Sequence, residues 1–178
     1  MAKPNNLIQK NLKMQKKELI NSRRQRCPLE PEEVRRLLEA TRGAELRFGL
    51  TGYQRAMIYH LAVESGLRAN EIRQLRRVDF NFDNCTVTVR SHTAKNRKEK
   101  TLPLRPGTTA EIREMLVRKL PDTQAFKVPG KPIDMLRPDL ERAGIEYLDD
   151  SGRCCDFYSL RHTTGTLLAA AGVHPRMA

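Results

Sequence analysis

The stretch CTVTVRSHTAKNRKEKTLPL, residues 85–104, contains the one convincing β signal of the chain. In residues 85–90 threonine and valine alternate with the period of two that a half-buried strand requires. Residues 100–104 form a second short apolar segment, and a polar, basic connection separates the two. The sequence therefore predicts an antiparallel hairpin with a long basic tip.

Helical spacing of apolar residues dominates the chain on both sides of this hairpin. Helices are expected over residues 31–42, 52–65, 68–75, 108–120, 132–145 and 156–172. A threonine should cap the fourth of these, a break near Pro138 should interrupt the fifth, and Gly172 should end the last. The predicted fold class is therefore mainly α with one small antiparallel β-sheet, an α+β arrangement.

The chain is strongly basic. Its 178 residues include 33 Lys and Arg against 21 Asp and Glu, which gives a formal net charge of +12. Hydrophobic residues make up 39%, enough for one sizeable core. A field of this sign attracts polyanions, and no run of about 18 apolar residues is present. We therefore expect double-stranded DNA rather than a membrane as the partner, and a cytoplasmic, nucleoid-associated location.

The spacing of cysteines and histidines argues against a bound metal. Cys27, Cys85, Cys154 and Cys155 form no C-x-x-C pair, and the four histidines are scattered without an H-E-x-x-H pattern. We expect free thiols, no metal ion and no cofactor.

The first residues of the chain are set apart by their charge. Residues 1–26 contain eight Lys or Arg and one Glu. They form either a solvated basic tail or a linker that lies along phosphates, and the sequence leaves both interpretations open. We divide the chain into a basic segment, residues 1–27, and a domain over residues 28–178.

Basic side chains recur in three separate places. SGLRANEIRQL, residues 65–75, places Arg68 just after a glycine and at the start of a helix. YSLRHTTGTLL, residues 158–168, places Arg161 in an otherwise apolar helix, where a buried charge needs an anionic partner. The third place is the hairpin, with Arg90, Lys95, Arg97, Lys98, Lys100 and Arg105. Together these features predict a surface that neutralises phosphates.

In order and in spacing, GLRANEI, TAKNRKEKTLPL and YSLRHT resemble the motifs of the tyrosine recombinases, the phage integrase family. The family patterns are G-L-R-x-x-E, a K-x-x-K-x-x-x-x-P-like hairpin and H-x-L-R-H. PLEPEEVRRLLEA also resembles the usual start of the family's catalytic domain, so the resemblance covers residues 28–178. It implies the fold of the DNA breaking-rejoining enzymes, and site-specific recombination or integration through a 3′-phosphotyrosine without metal or ATP.

The resemblance assigns a role to each matching residue. Arg68 and Arg161 would grip the non-bridging oxygens of the scissile phosphate and stabilise its transition state. Lys95 would be the general acid that protonates the 5′-oxygen leaving group, with Lys98 as the alternative. Glu71 would brace the region of Arg68. The DNA-contacting side chains would be Arg90, Arg97, Lys98, Lys100 and His162.

Two departures from the family pattern matter. Tyr158 stands where the family usually has a histidine, and it is either a site residue or a half-buried packing aromatic. The family's nucleophilic tyrosine should follow well beyond Arg161, whereas the sequence stops at Ala178. We therefore expect this chain to be unable to cut DNA and its parent enzyme to act as a tetramer. The alternative is a non-catalytic, DNA-binding remnant of an integrase.

Overall fold

The structure, a computed structural model, describes residues 25–91 and 98–172. Within these ranges the helices are α1 (Pro31–Arg42), α2 (Gly52–Ser65), α3 (Ala69–Gln74), α4 (Pro106–Leu116), α5 (Pro132–Arg142) and α6 (Phe157–Ala170). The strands are β1 (Phe80–Asn81), β2 (Thr86–Val89) and β3 (Lys100–Pro103). A short 3₁₀ turn, Arg77–Asp79, precedes β1. The predicted class, mainly helical with one small antiparallel sheet, is confirmed.

The three strands form one antiparallel sheet in the order β1-β2-β3. β2 and β3 pair as predicted, with Val87 opposite Leu102 and Thr88 opposite Thr101. Val87 is fully buried, whereas the Thr88 and Thr101 hydroxyls lie 3.0 Å apart on the outer face. The alternation therefore separates a core face from a solvent face. The predicted hairpin tip, residues 92–97, lies outside the described residues.

α2 lies at the centre of the domain and packs against both α1 and α6. Met57, Ile58 and Leu61 are completely buried, and so are most other residues of this helix. A helix with buried residues on most of its circumference must be covered by other elements on several sides. At its start, a Cβ on Gly52 would lie 2.2 Å from the carbonyl oxygen of Thr41. Only glycine permits this close approach of α2 to the end of α1.

A buried ion pair joins α2 to α5. Arg55 donates from Nε and Nη2 to the two carboxylate oxygens of Asp139, at 2.8 and 3.0 Å. Its Nη1 donates to the carbonyl oxygens of Glu45 and Leu50, and the Tyr59 hydroxyl donates to Asp139 at 2.8 Å. Each guanidinium nitrogen thus has an acceptor, which is the condition for tolerating a charge in the core.

The expected break in the fifth helix is wrong. α5 continues through Pro138, although proline removes one backbone hydrogen bond from a helix. Leu136 and Leu140, on either side of it, are fully buried, and Asp139 holds Arg55. These tertiary contacts stabilise the helix on both sides of the proline.

The predicted threonine cap of α4 is also wrong. The carboxylate of Glu64, on α2, accepts hydrogen bonds from the Arg105 N–H and, at 2.6 Å, from the Thr108 hydroxyl. A side chain distant in sequence therefore satisfies the start of this helix, and local patterns contain no signal for it. α4 ends at Leu116 and α6 at Ala170, both earlier than predicted.

The segment before α1 packs along the start of α6. Backbone hydrogen bonds of 2.8 and 3.2 Å join it to Cys154 on both sides of Arg26. Further on, the Leu29 N–H donates to the Thr163 hydroxyl at 2.8 Å in the interior. We call residues 25–29 the N-terminal strap.

Candidate active site

The turn between α2 and α3 carries the first predicted arginine. Gly66 ends α2 in the left-handed conformation, with φ 64°, which glycine adopts at little cost. Arg68 follows directly before α3, and its side chain is 30% exposed. Glu71 accepts hydrogen bonds from the Arg68 N–H at 2.9 Å and from its Nη1 at 3.2 Å. The guanidinium group is therefore oriented without being buried.

The second predicted arginine lies on α6. Asp156 caps this helix by accepting two backbone N–H groups of its first turn. Arg161 follows in the next turn, and its Nη1 donates to the Gly66 carbonyl. On the same helix the Thr164 hydroxyl donates to the Val63 carbonyl at 2.6 Å. These bonds hold α6 against the end of α2, next to the turn that carries the first arginine.

Arg68 and Arg161 line the same pocket, of about 260 Å³. Asp156 and Tyr158 also line it, and apolar side chains form most of the remaining wall. A second hollow of about 650 Å³ shares Arg161 and Tyr158 with it, and Lys100 also lines this hollow. Two arginine side chains at one pocket are the kind of group that binds a tetrahedral anion through charge-assisted hydrogen bonds.

Lys100, the first residue of β3, reaches this site from the hairpin. Its Nζ lies 3.7 Å from a carboxylate oxygen of Glu71. Burial lowers the pKa of the Lys100 ammonium; Glu71 opposes this shift, while the charges of Arg161 and Arg68 add to it. An ammonium group whose pKa is lowered gives up its proton more readily. Lys100, predicted only to contact DNA, thus lies within the electrostatic reach of both arginines.

Glu71 is a buried carboxylate, 3% exposed, that two cations share. Burial by itself raises the pKa of a carboxyl group. Here the Arg68 N–H and the charges of Lys100 and Arg68 outweigh burial, and the pKa of Glu71 is lowered. Glu71 therefore faces two cations, Arg68 and Lys100, and this cluster of three keeps an excess of one positive charge.

Tyr158 is 38% exposed and contacts two neighbours through its ring. The His162 ring meets it edge-on, with 5.0 Å between the centroids. The guanidinium carbon of Arg26, in the N-terminal strap, lies 4.6 Å from its centroid. Tyr158 therefore lines the pocket and also packs against two neighbours, and its role in the site stays a prediction.

The remaining predicted DNA contacts are placed differently. Arg90 lies 3.1 Å from the Asp79 carboxylate, donates to the Gln74 carbonyl at 3.0 Å, and lines neither the pocket nor the hollow. Lys98 and His162 are exposed, and His162 lines the hollow. Two predicted residues lie outside the described part of the chain, Lys95 and Arg97. The DNA contacts of Arg90, Arg97, Lys98 and His162 stay predictions, and so does the general-acid role of Lys95.

Sequence reasoning missed Asp156, which lines the pocket, and its ion-pair partner Arg26, which lies outside the pocket. An aspartate directly before the helical stretch FYSLRH is a recognisable N-cap signal, so Asp156 could have been found. Arg26 stands in a basic stretch that contains no local signal for its partner. Only the fold brings its Nε within 3.1 Å of the Asp156 carboxylate.

The family model of the Phage integrase family matches residues 28–178, a range that includes both arginines, Glu71 and Lys100. The chain belongs to the phage integrase family. The tyrosine recombinase XerA of Pyrococcus furiosus is 29% identical to this integrase-family chain over 152 residues, which are 84% of this chain and 50% of XerA. The chain thus spans about half the length of this curated relative. The predicted resemblance to tyrosine recombinases is confirmed.

Solved structures of recombinases share the fold of this integrase-family chain. XerA recombinase superposes with a TM-score of 0.65 at 19% identity, covering 86% of this chain and 54% of XerA. The catalytic domain of bacteriophage HP1 integrase gives 0.60 at 18% identity, with coverages of 84% and 76%. The Tn1549 transposon integrase, solved in complex with a circular intermediate DNA, gives 0.64 at 16% identity, with coverages of 85% and 55%. At these identities the likeness establishes the fold alone.

The described residues also limit other kinds of site. Across residues 25–91 and 98–172, no group of three or more His, Cys, Asp or Glu side chains is placed to hold a metal ion. Over the same ranges no helix combines the length and apolar character that crossing a bilayer requires. The cysteines are free thiols.

Proposed function

We propose that this chain binds duplex DNA and holds a scissile phosphate between Arg68 and Arg161 during site-specific recombination or integration. The observation that carries the proposal is that these two arginines, distant in sequence, line one pocket. Membership of the phage integrase family and the DNA complex of a relative with the same fold support it. The proposed division is a basic segment, residues 1–27, and a catalytic domain, residues 28–178, of a parent that acts as a tetramer.

The two arginines supply the electrostatic part of the proposed reaction. Negative charge grows on the non-bridging oxygens of a phosphate when a fifth oxygen approaches phosphorus. Guanidinium groups match these oxygens in shape and stay charged at every working pH. Glu71 orients Arg68, and the Gly66 carbonyl orients Arg161, before any ligand binds. Such preorganisation reduces the cost of reaching the transition state.

A lysine of the hairpin is proposed to protonate the leaving 5′-oxygen. Lys95 stays the predicted general acid, with Lys98 as the alternative. Lys100 adds a third candidate, because its ammonium group lies beside Glu71 and has a lowered pKa. All three would donate a proton that a guanidinium group donates poorly.

The proposed strand cleavage passes through a 3′-phosphotyrosine, which forms when a tyrosine hydroxyl attacks the phosphate and a 5′-hydroxyl leaves. Tyr53, Tyr59 and Tyr147 line neither the pocket nor the hollow, so none of the three is placed for this attack. Tyr158 lines both, and we assign it a hydrogen bond to the phosphate, in place of the family's histidine. The chain by itself is therefore proposed not to cut DNA.

A second candidate function is DNA binding without strand cleavage. Tyr158 favours it, because a phenol is less suited to proton transfer than the imidazole that the family usually has at this position. The same pocket would then hold a phosphate of the duplex backbone without attacking it.

The proposal is tested by titrating fluorescein-labelled duplex DNA with the wild type and with Arg68→Ala and Arg161→Ala at several salt concentrations. Arg113→Ala is the matched control, because it removes one guanidinium from an exposed pair with Asp83, away from the pocket. We expect the two pocket variants to weaken binding about tenfold at low salt, as loss of a charged hydrogen bond does. The control should change affinity far less, and equal affinities for all four proteins would overturn the proposal.

A second measurement tests whether the chain by itself cuts DNA. The chain is incubated with a nicked duplex, and a covalent protein–DNA adduct is sought on a denaturing gel. An adduct would show that a tyrosine of this chain does attack DNA. Binding that depends on both arginines, with no adduct, supports a chain that grips the phosphate without cutting.

A further inference from the structure

A carboxylate lies in the wall of the pocket that is proposed to hold a phosphate. Asp156 lines this pocket together with Arg68 and Arg161. Its Oδ1 accepts the N–H groups of Tyr158 and Ser159, at 2.9 and 3.1 Å, and so begins α6. This cap needs an oxygen atom but not a negative charge. The charge itself repels a phosphate at short range.

Arg26 pairs with this carboxylate from outside the pocket. Its Nε lies 3.1 Å from both oxygens of Asp156, and its guanidinium carbon lies 4.6 Å from the Tyr158 ring centroid. The backbone of the N-terminal strap is hydrogen-bonded to Cys154 on both sides of Arg26. Arg26 itself does not line the pocket. Its guanidinium is therefore held against two residues of the pocket wall without lining that wall.

We infer that Arg26 is a positioning residue of the phosphate pocket, which neutralises Asp156 and fixes Tyr158 beside Arg161. The inference rests on the proposed function and extends the site to the N-terminal strap. Arg26 precedes residues 28–178, the range that the family match covers. The N-terminal strap thus supplies a positive charge that offsets the Asp156 carboxylate at the start of α6, so that a phosphate can bind nearby.

Alternative partners for Asp156 make the role of Arg26 specific. Arg161 is on the same helix, but its Nη1 bonds the Gly66 carbonyl. Arg68 bonds Glu71. If Arg26 were absent, the Asp156 carboxylate would form an ion pair with one of these two arginines or keep an unpaired charge in the pocket wall. Either outcome weakens phosphate binding, because the carboxylate would neutralise an arginine or repel the phosphate.

The test is a double-variant cycle read by binding of fluorescein-labelled duplex DNA to the full chain. Arg26→Ala should weaken binding about fivefold at low salt, as an unscreened charge near a ligand does. Asp156→Asn in the Arg26→Ala background should restore it, because asparagine keeps the capping oxygen without the charge. The exposed pair Arg113 and Asp83, at 2.7 Å, gives the control cycle with the same charge changes.

The outcomes separate this inference from the proposed function. In the Arg26→Ala background, Asp156→Asn should raise the DNA affinity more than Asp83→Asn does in the Arg113→Ala background. This result supports the inference, since removing the charge of Asp156 would not rescue a merely structural Arg26. The inference is overturned if Arg26→Ala weakens binding and Asp156→Asn does not restore it. It is also overturned if Arg26→Ala weakens binding no more than Arg113→Ala does. In both cases the proposed function stands, provided that Arg161→Ala still weakens binding. If Arg161→Ala binds like the wild type, the proposed phosphate pocket fails and the inference fails with it. Thermal unfolding of each variant confirms that the compared proteins are folded.

Discussion

Arg55 and Arg68 each pair with a carboxylate, but the two pairs lie in different surroundings. The Arg55 side chain is 1% exposed, and each of its guanidinium nitrogens has an acceptor in the protein. The Arg68 side chain is 30% exposed, and within the described residues its guanidinium makes one hydrogen bond, to Glu71. An arginine has five N–H donors. Arg55 uses its donors inside the protein, whereas most Arg68 donors have no protein acceptor within the described residues.

We expect this difference to separate an arginine that stabilises the fold from the one that is proposed to bind an anion. At the buried pair, Asp139 supplies the full countercharge to Arg55. At the pocket, Glu71 is shared between Arg68 and Lys100, and it orients the arginine without cancelling the positive charge of the cluster. The number of guanidinium N–H donors that have acceptors within the protein therefore indicates the role of an arginine better than the presence of an acidic neighbour does.

The largest expected effect is on stability, at the buried pair. Asp139→Asn leaves the Arg55 charge unpaired in the core and should cost about 3–5 kcal/mol of unfolding free energy. Urea unfolding measures this loss, with Asp83→Asn at an exposed ion pair as the control. The double variant Arg55→Met/Asp139→Leu should recover part of the stability, because it leaves no charge unpaired. A loss no larger than that of the control would remove the contrast between the two pairs.

The next prediction concerns Arg68, where we expect a small change in stability and a larger change in DNA affinity. Arg68→Ala should change the unfolding free energy by about 1 kcal/mol or less, since its pair is partly exposed to solvent. The same variant should lose duplex DNA affinity. Arg68→Ala should therefore affect mainly affinity, whereas Asp139→Asn should affect mainly stability. Urea unfolding and DNA titration on the same preparations check this. Equal stability losses for the two variants would mean that Arg68 is a structural arginine as well.

The smallest expected effect is a pKa change within the pocket cluster. The negative charge of Glu71 raises the pKa of Lys100, so Glu71→Gln should lower that pKa further. NMR titration of the lysine side chains measures it. Lys119 is the internal control, because burial alone lowers its pKa and Glu71 plays no part. An unchanged or raised Lys100 pKa would show that Glu71 is not the carboxylate that balances this lysine.

Much of the fold could be predicted from local patterns. The alternation in residues 85–90 and the glycine that ends α2 are local signals, and both correspond to observed elements. The predicted break at Pro138 and the threonine cap of α4 failed because residues far apart in sequence decide them. Arg55 of α2 holds Asp139 of α5, and Glu64 of α2 caps α4.

The sequence by itself determined which residues could form the site, because motif order and residue chemistry select Arg68 and Arg161 without reference to any neighbour. Only the tertiary structure decided which cations stand beside them. Lys100 approaches along the hairpin, and Arg26 is placed by a strap that pairs with the start of α6. Electrostatic interactions depend on distance through space, and distance along the chain does not specify it. The charge balance of the pocket is therefore a property of the folded domain.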